Sequence, residues 1–290
     1  YRKNYDGSVN KFFTDTWNQA YSKYAPYSFK EIRKFEWLDY PGSVLTNAGE
    51  LLNELGKQLS ESACLLLLVN GESFAFQGNP REQKRIQASS VDEYKKIVAR
   101  NLKNNHDLQA IKQLSNLGAQ GIDLPPIAIV LTKSDLIEDE WAIYAKDILR
   151  ENFDILFGSP NNKDERIVMI EHTSLGSVDS QNGFAADPIN VELPIAFGVL
   201  SILRQDVIRN KLLHAQNQNQ MSGHQKNWFT KWLKSDTIAN LRAECDKRMQ
   251  DIKAASADVF NLLGLFEDEK PIYINGEEKN LKDFFKKELQ

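Results

Sequence analysis

Three short apolar segments constrain the fold of this chain more than any other feature. Residues 64–69, 127–131 and 167–170 are strand-length runs without a charged side chain. Continuous apolar strands of this kind are typical of parallel sheets that are buried on both faces. Longer stretches with helical periodicity lie between them. The sequence therefore predicts an α/β domain over residues 1–214, with a mostly parallel sheet flanked by helices.

A polar motif begins directly where the second of these strands ends. Its four residues are Thr132, Lys133, Ser134 and Asp135, and they resemble the guanine-specificity motif of GTPases, Asn-Lys-x-Asp or Thr-Lys-x-Asp. The resemblance implies that Asp135 accepts hydrogen bonds from the ring N–H and the exocyclic amine of guanine, a donor pair that adenine lacks. It also implies that Lys133 lays its aliphatic stem along the base. Thr132 replaces the commoner Asn, which removes the usual side-chain tie to the phosphate loop.

Two further motifs occur in the order expected from this resemblance. Asp39, Tyr40, Pro41 and Gly42 follow a β-favouring run at 34–38, and Thr173, Ser174, Leu175 and Gly176 follow the strand at 167–170. Asp-x-Pro-Gly, Thr-Lys-x-Asp and Thr-Ser-Leu, each at the carboxyl end of a strand, resemble the arrangement in P-loop GTPases of the translation-factor-like class. The spelling of the first two motifs is most similar to the dynamin-related branch.

The resemblance implies a ligand and a role for each site residue. Asp39 would hold Mg²⁺ through a water molecule, and the Gly42 amide would sense the γ-phosphate of GTP. The loop that carries Ser174 would close over the base selected by Asp135 and Lys133. The implied cofactors are GTP or GDP and Mg²⁺, and residues 43–60 correspond to the second switch and its helix. No residue that would position the attacking water is identified.

One part of a GTPase site does not occur in the 290 residues. A phosphate loop has the form Gly-x-x-x-x-Gly-Lys-Ser/Thr, whereas the one Gly-Lys pair, Gly56-Lys57, lies in a helical pattern and precedes Gln58. Either a segment upstream of Tyr1 carries the loop, or the chain is a nucleotide-free relative. We favour the first explanation, in which the protein is a GTP hydrolase. In the second it is a GTPase-like scaffold that acts as a protein-interaction module.

Composition narrows the class of protein further. The chain is 41% hydrophobic and 26% charged, which is ordinary for a domain with a substantial core, and its net charge is −4. The mild acidity argues against a general nucleic-acid ligand. Cys64 and Cys245 are predicted to be reduced core residues, as in a cytoplasmic protein. No apolar run approaches the roughly 20 residues of a membrane span, although peripheral membrane contact stays open.

The remaining expectations concern partners and the C-terminal region. Residues 70–117 are longer than a minimal GTPase requires, with a polar loop at 70–90 and a helix or helix pair at 91–117. We expect a protein partner or self-association through this insertion and the C-terminal helices. An uncharged polar stretch at 216–223 predicts a linker. The helical region at 224–290 then ends in a short strand, a tight Asn-Gly turn and a helix.

Overall fold

The computed structural model describes residues 50–78, 83–104, 107–119, 122–159, 165–176, 188–225 and 235–289. The chain forms two compact units, Tyr1–Leu38 and Asp39–Gln290, and every described residue belongs to the second. The motif at 39–42 and the candidate switch residues 43–49 lie outside the described residues.

The described part of the chain alternates between strands and helices. The strands are β1 Leu65–Asn70, β2 Phe76–Gln77, β3 Lys84–Arg85, β4 Ile127–Thr132, β5 Ile167–His172, β6 Pro271–Ile274 and β7 Glu277–Asn280. The helices are α1 Glu50–Glu61, α2 Glu72–Ala75, α3 Val91–Asn104, α4 Asp107–Ala119, α5 Asp139–Ala142, α6 Ala145–Asn152, α7 Asp154–Phe157, α8 Glu192–Gln225, α9 Ser235–Leu263 and α10 Leu281–Leu289.

The main sheet has the strand order β1-β4-β5-β6-β7. The first three strands are parallel, with Leu65 opposite Ile127 and Ile127 opposite Val168, and the last two join in antiparallel register. The three apolar segments of the sequence are therefore the three parallel strands. This confirms the predicted α/β class and the mostly parallel sheet.

Strand β4 lies between β1 and β5, and the side chains on both of its faces are buried. Successive side chains on a strand point to opposite faces. Ile127, Ile129 and Leu131 belong to the hydrophobic cluster that includes side chains of α3, α4 and α6. Ala128 and Val130 point the other way and are also buried. The long helix α8 contacts both β4 and β5. The uninterrupted apolar sequence of β4 follows from this double burial.

The segment 70–90 is not the polar loop that the sequence predicts. It contains α2 and the small β2–β3 hairpin, and Phe74 is almost fully buried. The Tyr94 hydroxyl donates a 2.8 Å hydrogen bond to the Phe74 carbonyl, and the Tyr94 ring stacks on Trp141 with centroids 4.5 Å apart. Phe74 of this segment and Tyr94 of α3 thus bind the segment to the core. The helix pair expected over 91–117 is confirmed as α3 and α4.

The linker predicted over 216–223 is wrong, because α8 continues without interruption to Gln225. Its uncharged glutamines and asparagines are helix-compatible side chains on a surface helix. Apolar residues spaced by threes and fours over residues 238–263 predict one long amphipathic helix. The structure confirms it as α9, and α8 supplies the partner for its apolar stripe. None of the described helices has the length and apolar character needed to cross a membrane.

The C-terminal strand and turn are confirmed, but they belong to the main sheet. Asn275 and Gly276 both adopt positive φ angles, 48° and 79°, as a two-residue hairpin turn requires. The turn lets β7 return beside β6, and β6 pairs with β5 through Val168 opposite Tyr273. The apolar spacing from Glu140 to Phe157 predicts one helix, but the structure has three short helices there, α5, α6 and α7.

Candidate functional site

The predicted site residues that the structure describes lie at one edge of the sheet. Because β1, β4 and β5 are parallel, their carboxyl ends meet at the same side. Thr132 ends β4, and Ser174 follows the end of β5 by two residues. The Thr173 amide donates to the Leu131 carbonyl at 2.8 Å, and the Ser134 amide donates to the Thr173 carbonyl at 3.1 Å. Backbone hydrogen bonds therefore hold the two motifs against each other.

The Ser174 hydroxyl donates a 2.6 Å hydrogen bond to Oδ1 of Asp135. Ser174 is buried and Asp135 is exposed. The Gly176 amide in turn donates to the Ser174 Oγ at 2.9 Å, which fixes the hydroxyl as an acceptor there and a donor towards Asp135. A carboxylate has about four lone-pair positions. Asp135 therefore keeps acceptor capacity for a ligand after binding Ser174.

Thr132 acts within the sheet. Its hydroxyl donates to the Val69 carbonyl of β1 at 3.1 Å, and its carbonyl accepts from the Gly71 amide at 2.8 Å. Thr132 thus joins the ends of β4 and β1. The Thr132 hydroxyl thereby adds a side-chain hydrogen bond between neighbouring strands.

Lys133 has the left-handed backbone conformation, with φ 53° and ψ 38°. This region is uncommon for a residue with a Cβ atom, and strained residues of this kind cluster at functional sites. The chain then turns through the 3₁₀ segment Ser134–Leu136. The turn brings Asp135 back over the end of β5. The Lys133 side chain is exposed, and its ammonium lies 2.5 Å from Oε1 of Glu72.

No protein-family model, curated protein or solved structure matches this chain. An exposed and oriented carboxylate such as that of Asp135 can accept two hydrogen bonds from a planar base. A long cationic side chain beside it, such as that of Lys133, can cover one face of the same base with its methylene groups.

A charged cluster that includes Glu171 and Lys270 lies beside the loop after β5, and the sequence did not indicate it. Glu171 and Lys270 form an ion pair at 2.5 Å. The Asn190 side-chain amide donates to Glu171 at 3.3 Å, and the neighbouring residue Ile189 pairs with Ser174 through two backbone hydrogen bonds. The C-terminal tail therefore reaches the Ser174 loop through a short series of contacts.

His172 lies at the end of β5 beside this cluster. Burial lowers the pKa of its imidazole to about 4, and the positive charges of Lys146 and Lys270 act in the same direction. Its Nε2 is buried and has no hydrogen-bond partner among the described residues. The imidazole is consequently neutral at pH 7.

The residues predicted to bind Mg²⁺ and the γ-phosphate are not among the contacts described above. Asp39 and Gly42 lie outside the described residues. Within the ranges given above, no group of three or more His, Cys, Asp and Glu side chains could hold a metal ion. The structure therefore brings together Thr132, Lys133, Asp135 and Ser174. It also places Glu72 beside Lys133. In the sequence, Glu72 is marked only by its position two residues after the end of a strand.

Proposed function

We propose that this protein binds guanine nucleotide at the carboxyl ends of β4 and β5 and hydrolyses GTP. The cycle would move the second switch and the C-terminal helices between two arrangements. The observation that carries the proposal is the 2.6 Å hydrogen bond from Ser174 to Asp135, which joins two motifs 39 positions apart in the chain.

The geometry of Asp135 and Lys133 supports the proposal of a guanine base as the ligand. Asp135 is exposed and oriented by Ser174, and it retains acceptors for the ring N–H and the exocyclic amine. Lys133 is exposed at the same turn, so its methylene groups are available to cover the ring. Bound GTP would supply the phosphoanhydride that is cleaved. The roles of Asp39 towards Mg²⁺ and of Gly42 towards the γ-phosphate rest on the sequence resemblance alone.

The test is calorimetric titration of the full-length gene product with GTP and with ATP in the presence of Mg²⁺. We expect saturable binding of GTP and none of ATP at the same concentrations, because Asp135 has no matching donors on adenine. Absence of GTP binding would overturn the proposal.

A substitution at Asp135 tests the base assignment directly. Asp135→Asn should weaken GTP binding by at least about tenfold and should admit xanthosine triphosphate, because an amide can donate to the additional carbonyl of xanthine. Asp154→Asn is a suitable control, since Asp154 is also exposed and accepts a hydrogen bond, from the Ile155 amide. Unchanged GTP affinity in Asp135→Asn would remove the assignment.

The second candidate is the nucleotide-free interaction module. It is favoured by exposed apolar side chains on the helical pair, where Leu212 of α8 is 60% exposed and Phe260 of α9 is 53% exposed. Exposed apolar side chains mark protein interfaces where they form a contiguous patch. Sedimentation of the full-length protein and of a Leu212→Ser/Phe260→Ser variant would detect self-association through this surface. A module of this kind would bind its partner equally well with and without GTP.

A further inference from the structure

Glu72 contacts the candidate site although the sequence assigns it no role. Its Oε1 accepts from the Lys133 ammonium at 2.5 Å, and its Oε2 accepts from the Asn70 side-chain amide at 3.3 Å. The Asn70 Oδ1 also accepts from the Glu72 backbone amide at 3.1 Å. Both carboxylate oxygens are therefore held, one by the end of β1 and one by Lys133.

The backbone at Gly71 explains why the two side chains meet. The Gly71 amide donates to the Thr132 carbonyl at 2.8 Å. A Cβ atom at Gly71 would lie 2.4 Å from the Thr132 carbonyl oxygen and 2.6 Å from that of Lys133. Only glycine permits so close an approach. The turn after β1 is consequently fixed against the backbone of Lys133, and the first residue beyond it is Glu72.

The Glu72 carboxylate carries a negative charge at neutral pH. Its hydrogen bond to Lys133 holds the pKa of this carboxyl below its ordinary value, and the bond from Asn70 adds to the effect. A lysine side chain has four rotatable bonds and many rotamers in water. Before any ligand binds, the ion pair with Glu72 restricts Lys133 to the rotamers that reach this carboxylate. Preorganisation of this kind raises affinity by lowering the entropy lost on binding.

We propose that Glu72 is a positioning residue for the nucleotide base, holding the Lys133 ammonium so that the aliphatic stem is ready to cover the ring. The role rests on the guanine-binding function proposed above. It differs from a simple charge effect, because removing an acid near a polyanionic ligand would by itself strengthen binding. Positioning and charge thus predict opposite changes in affinity.

A double-mutant cycle separates the two effects. The dissociation constant for GDP is measured by calorimetry with the full-length protein in Mg²⁺ buffer for wild type, Glu72→Ala, Lys133→Ala and the double variant. We expect Glu72→Ala to weaken GDP binding by about three- to tenfold, which lies at the lower end of the coupling between contacting residues. In the Lys133→Ala background the same substitution should have no further effect.

Two additional variants serve as controls. Glu72→Gln keeps an oxygen acceptor but loses the charge, so its GDP affinity should lie between those of wild type and Glu72→Ala. Glu151→Ala removes another exposed ion pair, in which Lys95 lies 2.5 Å from Glu151. Because that pair is on α3 and α6, Glu151→Ala should leave GDP binding unchanged.

The outcomes distinguish the positioning role from the proposed function. Tighter GDP binding in Glu72→Ala, or an equal loss with and without Lys133, would overturn the positioning role while guanine binding stands. Absence of GDP binding by the wild type would overturn the proposed function and the positioning role together. NMR titration of Glu72 without nucleotide then shows whether the contact itself exists, since Lys133→Met should raise the pKa of Glu72.

Discussion

The Glu171 carboxylate and the Lys270 ammonium lie 2.5 Å apart, with the side chains only 2% and 5% exposed. Glu171 belongs to β5, and Lys270 immediately precedes β6. The pair therefore links the C-terminal hairpin to the strand that leads into the Ser174 loop. A buried charge without its partner is strongly unfavourable, so the two residues depend on each other.

Lys270→Met should lower the free energy of unfolding by about 3–5 kcal/mol, because it leaves the Glu171 carboxylate buried and unpaired. Urea unfolding measures the change. Lys282→Met is the matched control, since Lys282 pairs at 2.7 Å with an exposed partner, Asp268, and should change stability little. A loss in Lys270→Met no larger than that of the control would contradict the importance of the buried pair.

Ser174→Ala should weaken GTP binding by about five- to tenfold, the equivalent of a typical hydrogen bond, because Asp135 loses the group that orients it. Stability should fall by only about 1 kcal/mol, from the unpaired Gly176 amide. Ser201→Ala removes an equally buried hydroxyl, which donates to the Phe197 carbonyl at 2.9 Å. Calorimetry should show normal GTP affinity for this control. Equal affinities in the two variants would mean that Ser174 does not orient Asp135.

Gly71→Ala should destabilise the protein by about 2 kcal/mol or more, because the new Cβ atom would meet two backbone oxygens closer than 3.0 Å. Backbone atoms at the end of β4 cannot move aside without loss of the strand pairing. Gly198→Ala is the contrasting variant, since its Cβ would lie 3.4 Å from the Cys64 side chain. Inside a helix such as α8, alanine is favoured over glycine by about 1 kcal/mol. Thermal unfolding of both variants should therefore show shifts of opposite sign.

The half-buried His172 predicts a specific dependence of stability on pH. Its pKa is about 4 in the folded protein and 6.5 in the ordinary state, so between these values the unfolded chain binds more protons than the folded one. Stability is then lost as the pH falls through this window. Between pH 7.5 and pH 5 the contribution of His172 is a loss of about 2 kcal/mol.

Urea unfolding at the two pH values checks this prediction. His172→Gln should lose less stability than the wild type over the same interval, because glutamine does not titrate. The other three histidines are present in both proteins and cancel in the comparison. Equal losses in the two proteins would show that His172 titrates normally.

The three parallel strands could be identified from the sequence because an apolar run of strand length is a local property. Strands buried on both faces need continuous apolar residues, and no other part of the chain combines such runs with strand length. The polar residues after 127–131 could likewise be assigned to the carboxyl end of a strand. Their approach to Ser174 follows from parallel pairing of β4 and β5.

The predictions of a loop at 70–90 and a linker at 216–223 were wrong because packing overrides local composition. The segment 70–90 has the composition of a polar loop, yet Phe74 and Tyr94 bind it to the core. The stretch 216–223 has no apolar periodicity, but it continues α8 to Gln225. A helix already begun gains one hydrogen bond for each added residue. The composition of residues 216–223 does not show that a helix precedes them.

The sequence by itself determined the α/β class, the three parallel strands and the two polar motifs, because each depends on residues that are neighbours in the chain. Only the tertiary structure decided that Glu72 meets Lys133 and that Lys270 meets Glu171, since these partners are 61 and 99 positions apart. Hydrogen bonds and ion pairs act over about 3 Å. Which distant side chains come within that range is decided by strand register and by the close approach of turns such as Gly71.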